Sequence, residues 1–362
     1  MQDSTSPKNS VHLVYGIAFT VIALVTLIAL VFYKTRADVA TENVTVSNST
    51  PTIGTIYTTG TSACGAPGGT ACNSAVPDIT TFTLTEDTVT TLNFNGLATD
   101  LNGCTEITLA SGNYSGSFAR TDLQTSGACA ADNNSCYVVS DANDFSVGTD
   151  DLNSCSGAGD TTIGFEGAES VQYYADATDT GSTNAATNWT VSVSLTDSVG
   201  AISAIATDTF EMATTTAMVL ENTSFAALSN LAYGSVALGG TSSQLTMYVI
   251  NSGNRTYYEL VNASAHGSAV GGAGVLYCNG VGSSDISPQF VRYNTASAAP
   301  HASGTALSIT ATIVSTGNAI AARTSETLES FTPVYWSLLL PGSAISGICS
   351  NTINVTTSII GT

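Results

Sequence analysis

Residues 189–195 read Trp-Thr-Val-Ser-Val-Ser-Leu, and this alternation decides the fold class. Trp189, Val191, Val193 and Leu195 share one parity and Thr190, Ser192 and Ser194 the other, the period-2 pattern of a strand with one buried face. Asn188, which opens an Asn-x-Thr sequon, has the outward parity. Similar segments lie upstream, TFTL at 81–84, VTTLNF at 89–94, EITLA at 106–110, YVVS at 137–140 and VQYYA at 171–175. Others lie downstream, LTMYVIN at 245–251, LSITATI at 307–313, VYWSLLL at 334–340 and INVTTSII at 353–360. In 307–313, Leu307, Ile309, Ala311 and Ile313 are expected to share a buried face. Many short strands separated by Gly and Asn turns, with no capped helical stripes beyond residue 33, predict a mainly β chain built from β-sandwiches.

The exception is Val11–Tyr33, 23 residues in which only His12 could carry charge near neutral pH. At about 1.5 Å per helical residue it would span roughly 34 Å, enough for a bilayer core. It is longer than a signal-peptide apolar region, and Lys34 and Arg36 come after it instead of a small-residue cleavage site. The expectation is an uncleaved signal-anchor in the cell membrane, with the C-terminal part extracellular. Flanking charges do not set the orientation, since Lys8 lies before the segment and Lys34 and Arg36 lie after it. The domain plan is then a short cytoplasmic tail (1–10), a transmembrane helix (11–33), a Ser/Thr-rich stalk (34–75) with one short strand in PTIGTIYTT, an acidic β-sandwich (76–212) and a second β-sandwich (218–362).

The formal net charge is −20, with two lysines and five arginines. From Asp78 to Glu211 there are nineteen Asp and Glu against Arg120 alone, whereas from Thr216 onward there are five against three arginines. The four scattered arginines beyond Arg36, at 120, 255, 292 and 323, cannot neutralise a phosphate backbone, which excludes nucleic acid as a partner. Eight cysteines lie after the anchor, Cys64, Cys72, Cys104, Cys129, Cys136, Cys155, Cys278 and Cys349, an even number that suggests disulfides in an oxidising compartment. Cys64 with Cys72 would close a small loop, and Cys278 with Cys349 is the simplest pairing of the second half; the other four leave three connectivities open. Sequons begin at Asn43, Asn48, Asn113, Asn133, Asn188, Asn222, Asn254, Asn262 and Asn354, the candidate glycosylation sites.

Leu84–Ile107, LTEDTVTTLNFNGLATDLNGCTEI, resembles the immunoglobulin-like, cadherin-like and PKD-like modules of archaeal and candidate-phylum bacterial surface proteins. Leu231–Leu260, with its Asn-Ser-Gly-Asn corner, is similar to another such module. The resemblance implies immunoglobulin-like sandwiches at a cell surface, with calcium-binding loops gathered at a domain end. Calcium takes six to eight hard oxygen ligands, and the resemblance points to Glu86, Asp100 and Asn102 first, then Asp141 and Asp144. The competing reading is that these Asp-Asn-Gly segments are turns, capped by their own side chains.

No GxSxG elbow, HExxH helix, P-loop or GxGxxG motif is present, and beyond the anchor only His266 and His301 could serve as catalytic histidines. Trp189, Trp336, Tyr173-Tyr174 and Tyr257-Tyr258 are expected to be core more than a sugar-stacking platform. The expected function is non-catalytic: a membrane-anchored structural subunit of the envelope or of a surface filament, partnered by membrane lipid through 11–33, copies of itself or other envelope proteins. A monomeric adhesin or receptor for a protein or glycan is the alternative, and an extracellular hydrolase a remote one.

Overall fold

The computed structural model describes residues 9–34, 47–60, 78–107, 114–124, 129–139, 145–147, 155–157, 159–264, 274–315, 317–325 and 329–359. Cys64, Cys72, Asp141, Asp144, His266, Asn43 and Asn113 lie outside the described residues. The chain divides into two compact units, 1–47 and 48–362.

The first unit contributes one helix, α1 (Asn9–Lys34), 26 residues long. Its side chains are described over residues 16–29, where Ile17, Phe19, Ile22, Leu24 and Leu27 are all more than half exposed. No helix among the described residues is long and apolar enough to cross a membrane.

The second unit is mainly β. Its first lobe carries β1 (Thr52–Gly60), β2 (Thr81–Phe82), β3 (Thr90–Thr99), β4 (Tyr114–Arg120), β5 (Cys136–Val139), β6 (Phe145–Val147), β7 (Thr162–Val171), β8 (Trp189–Leu195) and β9 (Ala206–Met212). These form two sheets, ordered β1-β3-β7-β6 and β2-β9-β8-β4-β5. Every pair is antiparallel except β2 with β9. The apolar parity of 189–195 faces inward as expected, with Trp189, Val191, Val193 and Leu195 buried in one core with Phe94, Phe118, Phe165 and Phe210, but the strand is not half-exposed, because Thr190 and Ser192 on the other face are buried as well. A Cβ on Gly167 would stand 2.1 Å from the Phe94 ring, so β7 needs glycine there for the ring to lie flat across it.

The lobe starts earlier than the stalk expectation allowed. β1 lies inside the segment read as stalk, pairs with β3 and buries Ile56 and Thr58. The strand expected in PTIGTIYTT forms, as its threonines favour, but in the first sheet of the lobe and not apart from it.

The second lobe carries β10 (Met218–Glu221), β11 (Leu245–Asn251), β12 (Tyr257–Ser264), β13 (Tyr277–Cys278), β14 (Val291–Asn294), β15 (Thr305–Ala306), β16 (Thr312–Ile313), β17 (Phe331–Leu338), β18 (Cys349–Ser350) and β19 (Thr352–Ile359). Sheets ordered β10-β11-β17-β14-β15 and β16-β12-β19, with the β13-β18 ribbon, accompany a second core that includes Trp336, Tyr257, Val261 and Tyr293. LSITATI is not one strand: Leu307 is buried, Ile309 is 54% exposed, and only Thr312–Ile313 pairs. Perfect alternation over seven residues did not make a strand because only β16 finds a partner, in β12.

Disulfides join Cys104 to Cys155, Cys129 to Cys136 and Cys278 to Cys349. The last directly links the paired residues of β13 and β18.

The two lobes are fastened to each other. Asn254 Nδ2 donates to the carbonyls of Ala175 and Ala213, both at 3.0 Å, and its Oδ1 accepts from Thr215 N at 2.6 Å. Thr214 N donates to Asp179 Oδ2 at 2.9 Å. Arg323 Nη1 donates to the Tyr173 hydroxyl at 2.6 Å, and the guanidinium lies over the Tyr173 and Tyr174 rings at 5.8 and 5.6 Å. The Tyr173-Tyr174 pair is thus part of the junction, in a turn after β7 and not in a strand.

Candidate metal centre

Asp100 directly follows β3, Glu106 ends a short 3-10 turn (Cys104–Glu106), and Asp197 lies just beyond β8. One carboxylate oxygen from each lies within 4.8 Å of the others. The 3-10 turn is tied down by the Cys104–Cys155 bridge, and the Asp197 backbone is bridged to Ile107. Asp197 also shapes its own turn, its Oδ1 accepting from Val199 N at 3.0 Å and Ala201 N at 2.8 Å.

Asp100 is fully buried and Asp197 nearly so, and Glu106 is half-buried. Asp100 Oδ2 and Glu106 Oε2 are buried without a hydrogen-bond partner. Burial works to raise the Asp197 pKa, but hydrogen bonds from Asn48 and the Ala201, Val199 and Gly200 amides outweigh it and hold the carboxyl below the ordinary range. At an effective dielectric of 20, two charges about 4.8 Å apart repel by roughly 3 kcal/mol. A hard divalent cation would turn that repulsion into attraction and satisfy the orphaned oxygens. Carboxylate oxygens suit calcium, with water completing six to eight ligands.

The residues the sequence selected are only partly gathered here. Asp100 is central. Asn102 adjoins the cluster, but its Oδ1 accepts from both Ser49 N and Ser49 Oγ at 2.5 Å, so it seats the incoming chain and is not positioned as a ligand. Glu86 is excluded: it lies in an exposed turn before β3, and the neighbouring Asp87 N bonds Ser252 O at the lobe junction. The ten residues of β3, roughly 30 Å of strand, separate it from Asp100. Asp197 was missed because it lies 97 residues beyond Asp100, and Glu106, six residues beyond Asp100, because only the fold of the intervening turn brings its carboxylate back. The signal that could have found Asp197 is the Asp-Ser-Val-Gly turn closing the strongest strand.

Entering chain also touches the centre. Asn48 Nδ2 donates to Asp197 Oδ2 at 2.6 Å, and Ser49 Oγ reaches Asp100 Oδ1 at 3.3 Å.

Among the other candidate sites, Asn48, Asn133 and Asn188 are exposed, and Asn222, Asn262 and Asn354 are half-exposed. Asn262 and Asn354 face each other across β12 and β19. Asn254 is a correction: it is 7% exposed and its Nδ2 is spent on two carbonyls of the junction, so the folded protein offers no nitrogen for a glycan. His301 Nδ1 lies 2.9 Å from Ser337 Oγ, but no described carboxylate bonds the ring, and its Nε2 is buried without a partner. Trp189 and Trp336 are fully buried, which removes them as a sugar platform.

No known protein family matches the chain, and no curated protein does. Solved structures similar to it include the CsuC-CsuE chaperone-tip adhesion subunit pre-assembly complex of Acinetobacter baumannii Csu pili, at 12% identity and a TM-score of 0.31, covering 78% of this chain and 97% of that one. A chaperone-tip adhesin complex of CFA/I fimbriae matches at 10% identity and a TM-score of 0.27, covering 87% and 92%. The C-terminal domain of the Streptococcus agalactiae AgI/II polypeptide BspA matches at 9% and 0.18, covering 85% and 95%.

Proposed function

We propose that the chain is a non-catalytic, membrane-anchored structural protein of the cell surface, whose two lobes are immunoglobulin-like sandwiches. The observation that carries this reading is the lobe junction, where buried Asn254 and half-buried Arg323 fasten two separate cores into one body. Such fastening suits a part that bears or transmits load. The anchor is the apolar run 11–33, and the disulfides, exposed sequons and scarcity of lysine support an external location for the C-terminal part. Assembly with copies of itself or with other envelope proteins completes the reading. Electron microscopy of the full chain, gently extracted from its membrane, is expected to show filaments or lattices; dispersed particles at all concentrations would overturn the structural role in favour of a monomeric adhesin.

Calcium at Asp100, Glu106 and Asp197 is the cofactor of this reading. It would set the first lobe on the segment 48–51 that leads into it. Adding calcium to chelated protein is expected to raise the melting temperature by several degrees in the parent and by nothing in Asp100→Asn. Equal shifts in both would remove the ion from this site.

A further inference from the structure

A cleft of about 380 Å³ opens at the lobe junction, between the loop around residues 176–184 and the corner at Asn254–Thr256. Its polar wall includes Ser182, Thr183 and Asn184 from the first lobe and Arg255 from the second; no aromatic or large aliphatic side chain lines it. Arg255 is the singular feature. Among the described residues the other arginines are engaged: Arg120 with Asp122 and Asp176, Arg292 with the carbonyls of Ala302 and Gly304, and Arg323 with Ser325 O and Tyr173. The Arg255 guanidinium has no hydrogen-bond or ion-pair partner among the described residues, in a protein of net charge −20. It is held at the cleft, since a Cβ built on Gly181 would stand 3.8 Å from Nη1 and 3.9 Å from Nη2.

Two further observations point to a ligand. Ser182 Oγ is buried and also lacks a partner, so the opposite wall holds an unused hydroxyl. The backbone around the arginine is fixed, with Asn251 Nδ2 donating to Arg255 O at 2.8 Å and Ala322 N to Thr256 Oγ1 at 3.2 Å. The one carboxylate on the wall, Asp176, is already neutralised by Arg120 and bonded by Asn134, so it does not compete for Arg255.

We propose that this cleft binds an acidic sugar, its carboxylate paired with the Arg255 guanidinium and its hydroxyls bonded to Ser182, Thr183 and Asn184. A guanidinium fork matches a carboxylate through two parallel hydrogen bonds. One cation, with no lysine or helix terminus beside it, suits a single negative charge better than a phosphate dianion. Ser182, Thr183 and Asn184 offer hydrogen bonds to a polyhydroxylated ligand, and the C–H face of a sugar ring can lie against the small apolar residues Ala177 and Ala322. The size is that of a saccharide site.

This inference is independent of the metal centre and of the assembly reading. It is tested by calorimetric titration of the full chain in detergent with D-glucuronate, D-glucose and acetate. Saturable glucuronate binding is expected, at least tenfold weaker for glucose and in Arg255→Gln, and severalfold weaker in Ser182→Ala. Because the Arg255 side chain makes no bond within the described residues, the Gln variant should keep the parent melting temperature, which separates loss of binding from loss of fold. Absence of saturable glucuronate binding, or equal binding by Arg255→Gln, would overturn the site. Acetate binding as tight as glucuronate would overturn the sugar assignment.

Discussion

Replacing Glu259 by Met is expected to stabilise the protein by about 3 kcal/mol at pH 8 and by almost nothing at pH 4.5. Glu259 sits mid-strand in β12 on the face shared by Tyr257 and Val261, fully buried, with both carboxylate oxygens lacking a partner. Burial pushes its pKa from 4.5 up to about 7, against a weak pull from its own backbone N–H. The folded state therefore binds a proton that the unfolded chain releases near pH 4.5. Stability from this group is complete below that value, falls as the pH rises toward 7 and is lost above it. Raising the carboxyl from 4.5 to about 7 corresponds to about 3 kcal/mol. The measurement is denaturant unfolding of the full chain and the variant in detergent across that range; a stability difference that does not change with pH would refute the neutral buried acid. Methionine is chosen over glutamine because an amide would still lack partners, whereas an apolar chain of similar length needs none.

Asn254→Ala should cost about 4 kcal/mol and split one unfolding transition into two. The truncation strands the carbonyls of Ala175 and Ala213 and the amide of Thr215, one buried and two part-buried groups, and a buried one costs roughly 1–3 kcal/mol when unsatisfied. These groups belong to the first lobe and the connector, while Asn254 belongs to the corner between β11 and β12. Differential scanning calorimetry reads both effects. A single transition at an unchanged temperature would show that the lobes are held elsewhere. Glycopeptide mapping of the parent should also find Asn254 unmodified, since the same nitrogen cannot bond two carbonyls and carry a glycan.

Parity gave the strands reliably where a neighbour existed to pair with them. Trp189–Leu195 alternates and is sandwiched between β4 and β9, whereas 307–313 alternates as cleanly and pairs only at its end. Parity also held the clue to Glu259, which shares its face with Tyr257 and Val261; hydrophobicity alone hid it because a carboxylate is not read as core. The strand in PTIGTIYTT was legible as a strand, but its membership of the first lobe was not, because only its pairing with β3 shows which sheet it joins.

What the sequence determined by itself was local: a β class from period-2 alternation, one apolar helix in 9–34, and Cys278 with Cys349 as the only cysteines of their half. Tertiary structure alone decided the sites. Asp100, Glu106 and Asp197 meet because β3 and β8 end at the same end of one lobe. Asn254 is buried because the first lobe packs on its corner, and among the described residues Arg255 has no partner because Asp176, the acid on the same cleft, is already bound by Arg120 and Asn134. Each is a relation between residues far apart in the chain, fixed by how sheets stack, and alternation within a strand carries no information about which strand end will face it.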